Sequence, residues 1–436
     1  MSYPAYADCS PARWQEVGNI PLGWEARRLK FSVSLRNEKI DAEATDLEYM
    51  GLEHIESWTG KRIDDETAFS EGVATRFVKD DVLFGKLRPY LAKVYLASKE
   101  GMATTEALVL TAESALAPKF LKYLLLSGKF IDAVSGASFG AKMPRANWET
   151  IGGLPILLPS IAEQQQIAAF LDWKTSQIDA LIAKKQELLD KLKEKRQAVI
   201  TQAVTKGLNP DAPMRDSGIA WLGDMPTHWE VRRLKFLASE PLMYGANEAA
   251  ELDDPTLPRY IRITDVKDDG TLHDDTFRSL LQEVAAPYLL KEGDILLARS
   301  GATVGKSFQY LETWGIAAYA GYLIRFRVDA KLVRARFAYY YMRSEHYWAC
   351  INASLIQATI QNFSAEKYAN LNLPLPTLDE QSKIAEKIDK EVVKFDALET
   401  AAKNAITRLT EYRTALITAA TTGKIDVRHV KIPASP

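Results

Sequence analysis

The sequence predicts an α+β protein: two α/β arms separated by two long antiparallel coiled-coil helices, related by a pseudo-twofold internal repeat. Three observations carry this. The chain of 436 residues duplicates itself once, each copy contains one long amphipathic helix, and the stretches between mix short strand signals with short helices. A chain of this length exceeds one core and suits two domains with connecting helices.

The duplication has a period of a little over 200 residues. Residues 17–31 read VGNIPLGWEARRLKF and residues 222–236 read LGDMPTHWEVRRLKF, identical at nine of fifteen positions, Trp24/Trp229 among them. Residues 160–206 align with 377–423 at a fixed shift of 217, without a gap and with sixteen identities in 47 positions. Between these anchors the copies diverge. One scaffold carrying two different surfaces has this pattern.

The elements follow in chain order. The first arm takes residues 1–158, with strand signals at 81–84 and 107–110 and a helix near 118–128. Its start is blurred over 6–16. A first spacer helix occupies 159–207 and a linker 208–224. The second arm spans 225–375, with strands at 260–263, 294–298 and 322–328 and a helix at 331–345. A second spacer helix covers 376–424, and 425–436 is a tail. Mixed strands and helices without regular βαβ alternation read as α+β.

Both spacer helices open on Ser/Thr-x-x-Glu, at Ser160–Glu163 and Thr377–Glu380. In such a capping box the hydroxyl takes the N3 amide and the Glu reaches back to the cap amide. Ile167, Leu171, Ile178, Leu181, Leu188, Leu192 and Val199 form the expected seam. Ile384, Ile388, Phe395, Leu398, Leu409 and Leu416 repeat it. A 3.5-residue repeat calls for a facing helix. Two amphipathic helices packed on separate cores would show similar spacing, but matched length, register and caps favour mutual pairing. Pseudo-twofold symmetry then brings Gly423, at the end of the second helix, beside Trp24, with the arms at opposite ends of a rod.

Each arm runs a strand into a basic, glycine-containing loop: DDVLFGKLRPYLAK at 80–93 and GDILLARSGATVGK at 293–306. Lys86 and Arg88 in the first, and Arg299, Ser300, Thr303 and Lys306 in the second, are candidate contacts to a polyanion. Backbone approaches phosphate there while Arg or Lys reaches base edges. Lys142 and Arg145, and Gln357 in the second arm, mark another polar stretch before each helix. The alternative at every one of these positions is a hairpin turn with solvated charges. Trp24 and Trp229 read as packing anchors rather than stacking platforms.

Composition narrows the class. Apolar residues make up 47% and charged residues 26%, as in ordinary globular proteins. The two cysteines, Cys9 and Cys350, give no disulfide framework, and MSYPAYADCS lacks a secretory signal, so the expected location is cytoplasmic. No apolar run reaches the ~20 residues needed for a membrane span. A net charge of −2 is low for a free-standing DNA binder. Either the basic residues gather on one face or partner chains supply phosphate contacts.

Catalytic motifs are missing. SGATVGKS at 300–307 is one residue short of a phosphate-binding loop. Zinc spacings, His-Glu-x-x-His and the Asn/Asp-Pro-Pro-aromatic signature of adenine methyltransferases do not occur.

The chain resembles Type I restriction–modification specificity subunits over essentially its whole length. The resemblance is carried by DSGIAWLGDMPTHWEVRRLKF (216–236), LPILLPSIAEQQQIAAFLD (154–172), TKGLNP (205–210), GDILLARSGATVGK and FGKLRPYL (84–91). It implies a non-catalytic subunit with two target recognition domains, each reading half of a bipartite double-stranded DNA target. The helices would set the gap and dock two modification subunits, with restriction subunits joining the complex. No cofactor is expected in this chain; S-adenosylmethionine, ATP and Mg belong to the partners. Two other readings are a recognition chain of another restriction class and a coiled-coil scaffold without DNA contact.

Overall fold

The structure, a computed structural model, describes residues 3–14, 17–63, 72–140, 142–267, 270–355 and 362–433. It divides into two compact units, Met1–Gln186 with Lys403–Pro436, and Glu187–Ala402. Both divisions fall inside long helices, Ile161–Lys206 and Leu378–Thr421, so each unit holds one arm and part of both helices.

The first unit opens on an antiparallel ribbon, Cys9–Pro11 with Asn19–Pro21. The second arm opens likewise on Met214–Asp216 with Asp224–Pro226. The ribbon therefore forms in the first copy even though the linker sequence is blurred there. The next strand, Glu25–Arg28, pairs with Pro155–Leu158, the stretch that enters the long helix. Glu230–Arg233 pairs with Asn372–Leu375 in the same register sense.

A four-stranded antiparallel sheet is the frame of each arm. In the first its order is Val33–Arg36, Ala107–Ala112, Val82–Gly85, Val94–Leu96. In the second it is Met243–Tyr244, Leu323–Phe326, Ile295–Ala298, Ser307–Gln309. Helices Pro118–Leu125 and Gly128–Gly136 join the first core through Phe120, Leu124 and Phe130 against Val82, Phe84 and Leu110. Ala335–Tyr341 and Glu345–Leu355 do so in the second, where sequence periodicity predicts a single helix over 331–345. The arms diverge elsewhere. The first adds a four-stranded sheet built on Val73–Phe77, the second a parallel pair, Arg259–Ile261 with Ala317–Tyr319.

The long helices pair antiparallel within each unit. In the first, Gln166 Nε2 donates to Val427 O and Val430 O, whereas Asp179, farther along, accepts from Arg413 Nε at 2.8 Å. In the second, Arg196 pairs with Asp396 and Glu399. Asp179/Asp396 and Arg196/Arg413 are equivalent positions of the repeat, so the two ion pairs are one motif used twice. Each arm is also held by the helix of the other copy. Thr418 Oγ1 accepts from Gly128 N at 2.9 Å, and Thr201 Oγ1 from Glu345 N at 3.0 Å.

The seam differs from the sequence expectation at three positions. Ile167, Leu171, Ile178, Leu192, Ile384, Ile388, Phe395 and Leu416 are buried, each aliphatic side chain worth roughly 1.5–3 kcal/mol. Val199 and Leu409 are half-buried. Leu181, Leu188 and Leu398 are exposed, Leu181 at 48% and Leu398 at 52%. The less exposed face instead passes through Ile182, Lys185, Leu189, Leu192 and Arg196, and through Glu399, Ala402, Ile406, Leu409 and Arg413. Spacings of four and three alternate there without a break. The seam admits charged residues, and the leucines one position away stay outside.

At each helix start the hydroxyl half of the capping box forms, Ser160 Oγ accepting from Glu163 N and Thr377 Oγ1 from Glu380 N, both at 3.3 Å. The glutamates turn elsewhere. Glu163 accepts from Trp24 Nε1 at 3.2 Å and from the Tyr6 hydroxyl at 2.6 Å; Glu380 accepts from Trp229 Nε1 at 3.1 Å. Both indoles are buried anchors. Gly423 lies against Pro21 and Trp24, and Gly207 against Trp229, so each helix ends where the symmetry places it.

The neighbouring glutamines are buried clamps. Gln164 accepts from Ala117 N at 2.8 Å and donates to Ala115 O and Pro159 O, both at 2.9 Å. Gln381 repeats this with Arg334 N, Leu332 O and Pro376 O. No helix of the described residues is long and apolar enough to cross a membrane.

Candidate nucleic-acid interface

In each arm the central strand of the main sheet delivers a basic residue to the same place. Lys86 follows Val82–Gly85, and its N–H donates to Glu106 O at 2.9 Å. Arg299 follows Ile295–Ala298, and its N–H donates to Tyr322 O at 3.0 Å. The segment before the long helix then crosses over. Ala146 N donates to Lys86 O at 3.0 Å, and Phe363 N to Arg299 O at 2.8 Å. The two candidate stretches that the sequence places far apart in each arm thus form one junction.

The first junction gathers Lys86, Arg88, Lys142 and Arg145. Arg88 N donates to Pro144 O at 2.7 Å, and Phe139 and Arg145 close a hairpin with Lys142 near its tip. Arg88 has φ +50°, a left-handed backbone, and its side chain is exposed. An L-residue there costs ~1–2 kcal/mol, which the Pro144 bond and the Pro89–Leu91 turn hold in place. Arg145 Nη2 pairs with Glu106 Oε1 at 2.9 Å. The other oxygen, Glu106 Oε2, is buried with no hydrogen-bond partner among the described residues. Tyr90, Phe139 and Met143 are exposed around these charges.

The second junction gathers Arg299, Ser300, Thr303 and Lys306. The Arg299 guanidinium stacks over Tyr244 at 4.7 Å, and its Nε is buried without a partner among the described residues, as is Asn362 Oδ1. Ser300 bridges to Asn362. Thr303 Oγ1 donates to Ser300 O at 3.4 Å. Lys306 returns the chain to the ladder, Ala298 N donating to Lys306 O at 2.9 Å. Gly305 has φ +87°, and a Cβ there would meet the Trp348 ring at 2.8 Å. The second glycine of SGATVGK is therefore a packing glycine. Gln357 lies outside the described residues.

Glu106, Tyr244 and Asn362 are absent from the sequence-derived candidates. They reach the junctions from strands and loops remote in the chain, and no motif marks them. Among the described residues no group of three or more potential ligands could hold a metal ion.

Known proteins agree with this architecture. The family model for the Type I restriction modification DNA specificity domain matches residues 23–194 and 226–408. The chain belongs to that family, whose members are the non-catalytic recognition subunits of Type I restriction enzymes. The StySPI specificity subunit of Salmonella potsdam is 25% identical over 321 residues, 72% of this chain and 67% of its own. A structure described as the structural basis of complex assembly and conformational transition of the type I R-M system superposes with a TM-score of 0.73. It is 21% identical and covers 92% of this chain and 98% of its own. The HsdS subunit of Thermoanaerobacter tengcongensis gives 0.53, at 21% identity over 93% and 98%.

Proposed function

We propose that this chain recognises a bipartite double-stranded DNA sequence, one half through the Lys86–Arg145 junction and the other through the Arg299–Asn362 junction. The observation that carries this is their equivalence in frame and difference in content. Two loops hang on the same strand of the same sheet, yet one offers Lys, Arg and exposed apolar side chains, the other a tyrosine-stacked Arg beside Asn. Arg and Asn are the side chains that read guanine and adenine edges bidentately, and apolar groups meet the thymine methyl.

In this reading the paired helices fix the gap between half-sites and dock two modification subunits, and restriction subunits join through the complex. Leu181 and Leu398 support the docking role. They are identical in the two copies yet exposed, which internal packing does not explain. S-adenosylmethionine, ATP and Mg would be held by the partners, and the complex would work in the cytoplasm.

Exchange of residues 25–155 for the arm of another specificity subunit tests the assignment. Methylome sequencing of the host is expected to show one half-site changed and the other retained. Change in both halves, or in neither, would contradict it.

A further inference from the structure

The duplicated segment at the start of each arm contains residues that the fold does not need. Trp24/Trp229 and Leu29/Leu234 are buried, so packing accounts for their identity. Arg28/Arg233, Lys30/Lys235 and Phe31/Phe236 are exposed and equally identical. Phe31 is 64% exposed and Phe236 61%. A phenyl ring left mostly in water adds little to the stability of its own unit, yet it recurs at the same place twice.

The chemistry around the two rings is the same. Lys30 Nζ lies 5.3 Å from the Phe31 ring centroid, and Lys235 Nζ lies 5.3 Å from that of Phe236. Arg27 and Arg232 fold back onto Glu25 and Glu230 at 3.0 and 2.9 Å. Arg28 and Arg233 carry no ion pair among the described residues. Each patch is therefore an exposed ring beside a lysine, with a second unpaired cation three residues earlier in the chain.

Position separates these patches from base reading. In the first arm Phe31 precedes the strand Val33–Arg36, and Val33 pairs with Ala112 at one end of the sheet. Lys86 leaves the sheet after Gly85, which pairs with Ala107 at the other end. The second arm repeats this. Ala238, just after Phe236, bridges to Val328, whereas Arg299 leaves beside Leu323.

We propose that these two patches are docking surfaces, one per unit, for two copies of the same acidic protein segment, carried by the modification subunit. The inference rests on the reading of this chain as a specificity subunit. Identical patches on otherwise dissimilar arms fit one partner used twice, and an exposed ring beside a lysine in a basic segment fits an apolar side chain set among carboxylates. Duplex phosphate would engage the cations and leave the rings unused.

The test uses the full chain and the modification subunit, with stoichiometry read by native mass spectrometry and affinity by calorimetry. Lys30→Glu with Phe31→Ser alters the first patch, Lys235→Glu with Phe236→Ser the second. All four sites are exposed, and unchanged melting midpoints verify folding; Phe31→Ala and Phe236→Ala are milder substitutes if a midpoint drops. Wild type is expected to take two subunits, each single-patch variant one, and the combined variant none at concentrations that saturate wild type. A combined variant that still takes two with unchanged affinity overturns the proposal. So does retained stoichiometry with lost DNA affinity, which would make the patches phosphate contacts, and so does loss of both subunits from a single-patch variant. Wild type that binds no modification subunit would sink the specificity-subunit reading itself, and this inference with it.

Discussion

Adjacent residues at each helix start do different work, and the sequence displays only part of it. The Ser/Thr-x-x-Glu pattern marks the helix start, but the glutamate's partner is an indole more than a hundred residues away, a pairing no local pattern encodes. Gln164 was legible only as part of a family motif. Its amide satisfies one backbone N–H and two carbonyls at a site closed to water. Gln164→Leu should orphan all three, at about 1–3 kcal/mol per group, and depress the unfolding midpoint well below that of wild type. Gln164→Glu should recover little, since a carboxylate cannot donate to Ala115 O and Pro159 O; full recovery in a melting curve would contradict the clamp. Asp172 gives a pH signature. Burial pushes its carboxyl up, but Lys122, Tyr123 and Lys119 outweigh burial and hold it below the usual value. Lys122 also sits below its ordinary value, because its own burial outweighs the carboxylate, so the pair gains less than the Asp172 shift alone implies. A depressed carboxyl contributes stability that is full above its unfolded value, about 4, and lost as pH falls through the lower folded one. The stability gap between wild type and Asp172→Asn should therefore shrink as pH drops from about 5 towards 3. Denaturant titrations across that range check it, and a constant gap would refute the assignment.

At the scale of elements, the long helices were legible and their phase was not. Apolar identity selects Leu181, Leu188 and Leu398, whereas the pairing face runs through Ile182, Leu189 and Glu399. Leucine on the outer face looks the same as leucine in the seam. The phase is fixed by something a hydrophobic pattern hides, charged residues placed inward. Arg413 is buried, pairs with Asp179, and donates to Trp58 O at 2.7 Å and Thr59 O at 3.1 Å. Its repeat partner Arg196 meets Asp396 and Glu399, both more exposed. The two should therefore differ in weight. Arg413→Ala takes one of two cationic partners from a largely buried carboxylate, Lys61 remaining at 2.7 Å, and strands two carbonyls, so it should cost roughly 2–4 kcal/mol. Arg196→Ala loses a pair of the solvated kind, worth about 1 kcal/mol or less. Double-mutant cycles with Asp179→Ala and Asp396→Ala measure both couplings; equal values would show that burial does not govern the pairing here.

For the molecule as a whole, the duplication was readable because each copy repeats contiguous words at constant spacing. The arms were not, because their strands pair with partners far along the chain, as Glu25–Arg28 does with Pro155–Leu158. The candidate basic loops could be named, but their union into one junction per arm depends on those distant pairings. The remaining consequence concerns the gap between half-sites. If the paired helices set it, lengthening both must widen it without altering what either arm reads. Duplicating Ile182–Leu188 in the first helix and Glu399–Ala405 in the second adds one heptad at equivalent positions and keeps the 3.5-residue phase of the seam. Seven residues at about 1.5 Å each add about 10 Å, close to three base pairs at about 3.4 Å per pair. A four-residue insertion adds about 6 Å but breaks the phase, so it should widen the gap less cleanly and destabilise the pairing. Methylome sequencing of a host carrying the heptad variant should return the same two half-sites with a gap about three pairs longer. An active variant with its original gap would mean that the spacing is held by something other than the helices, most directly by the partner subunits.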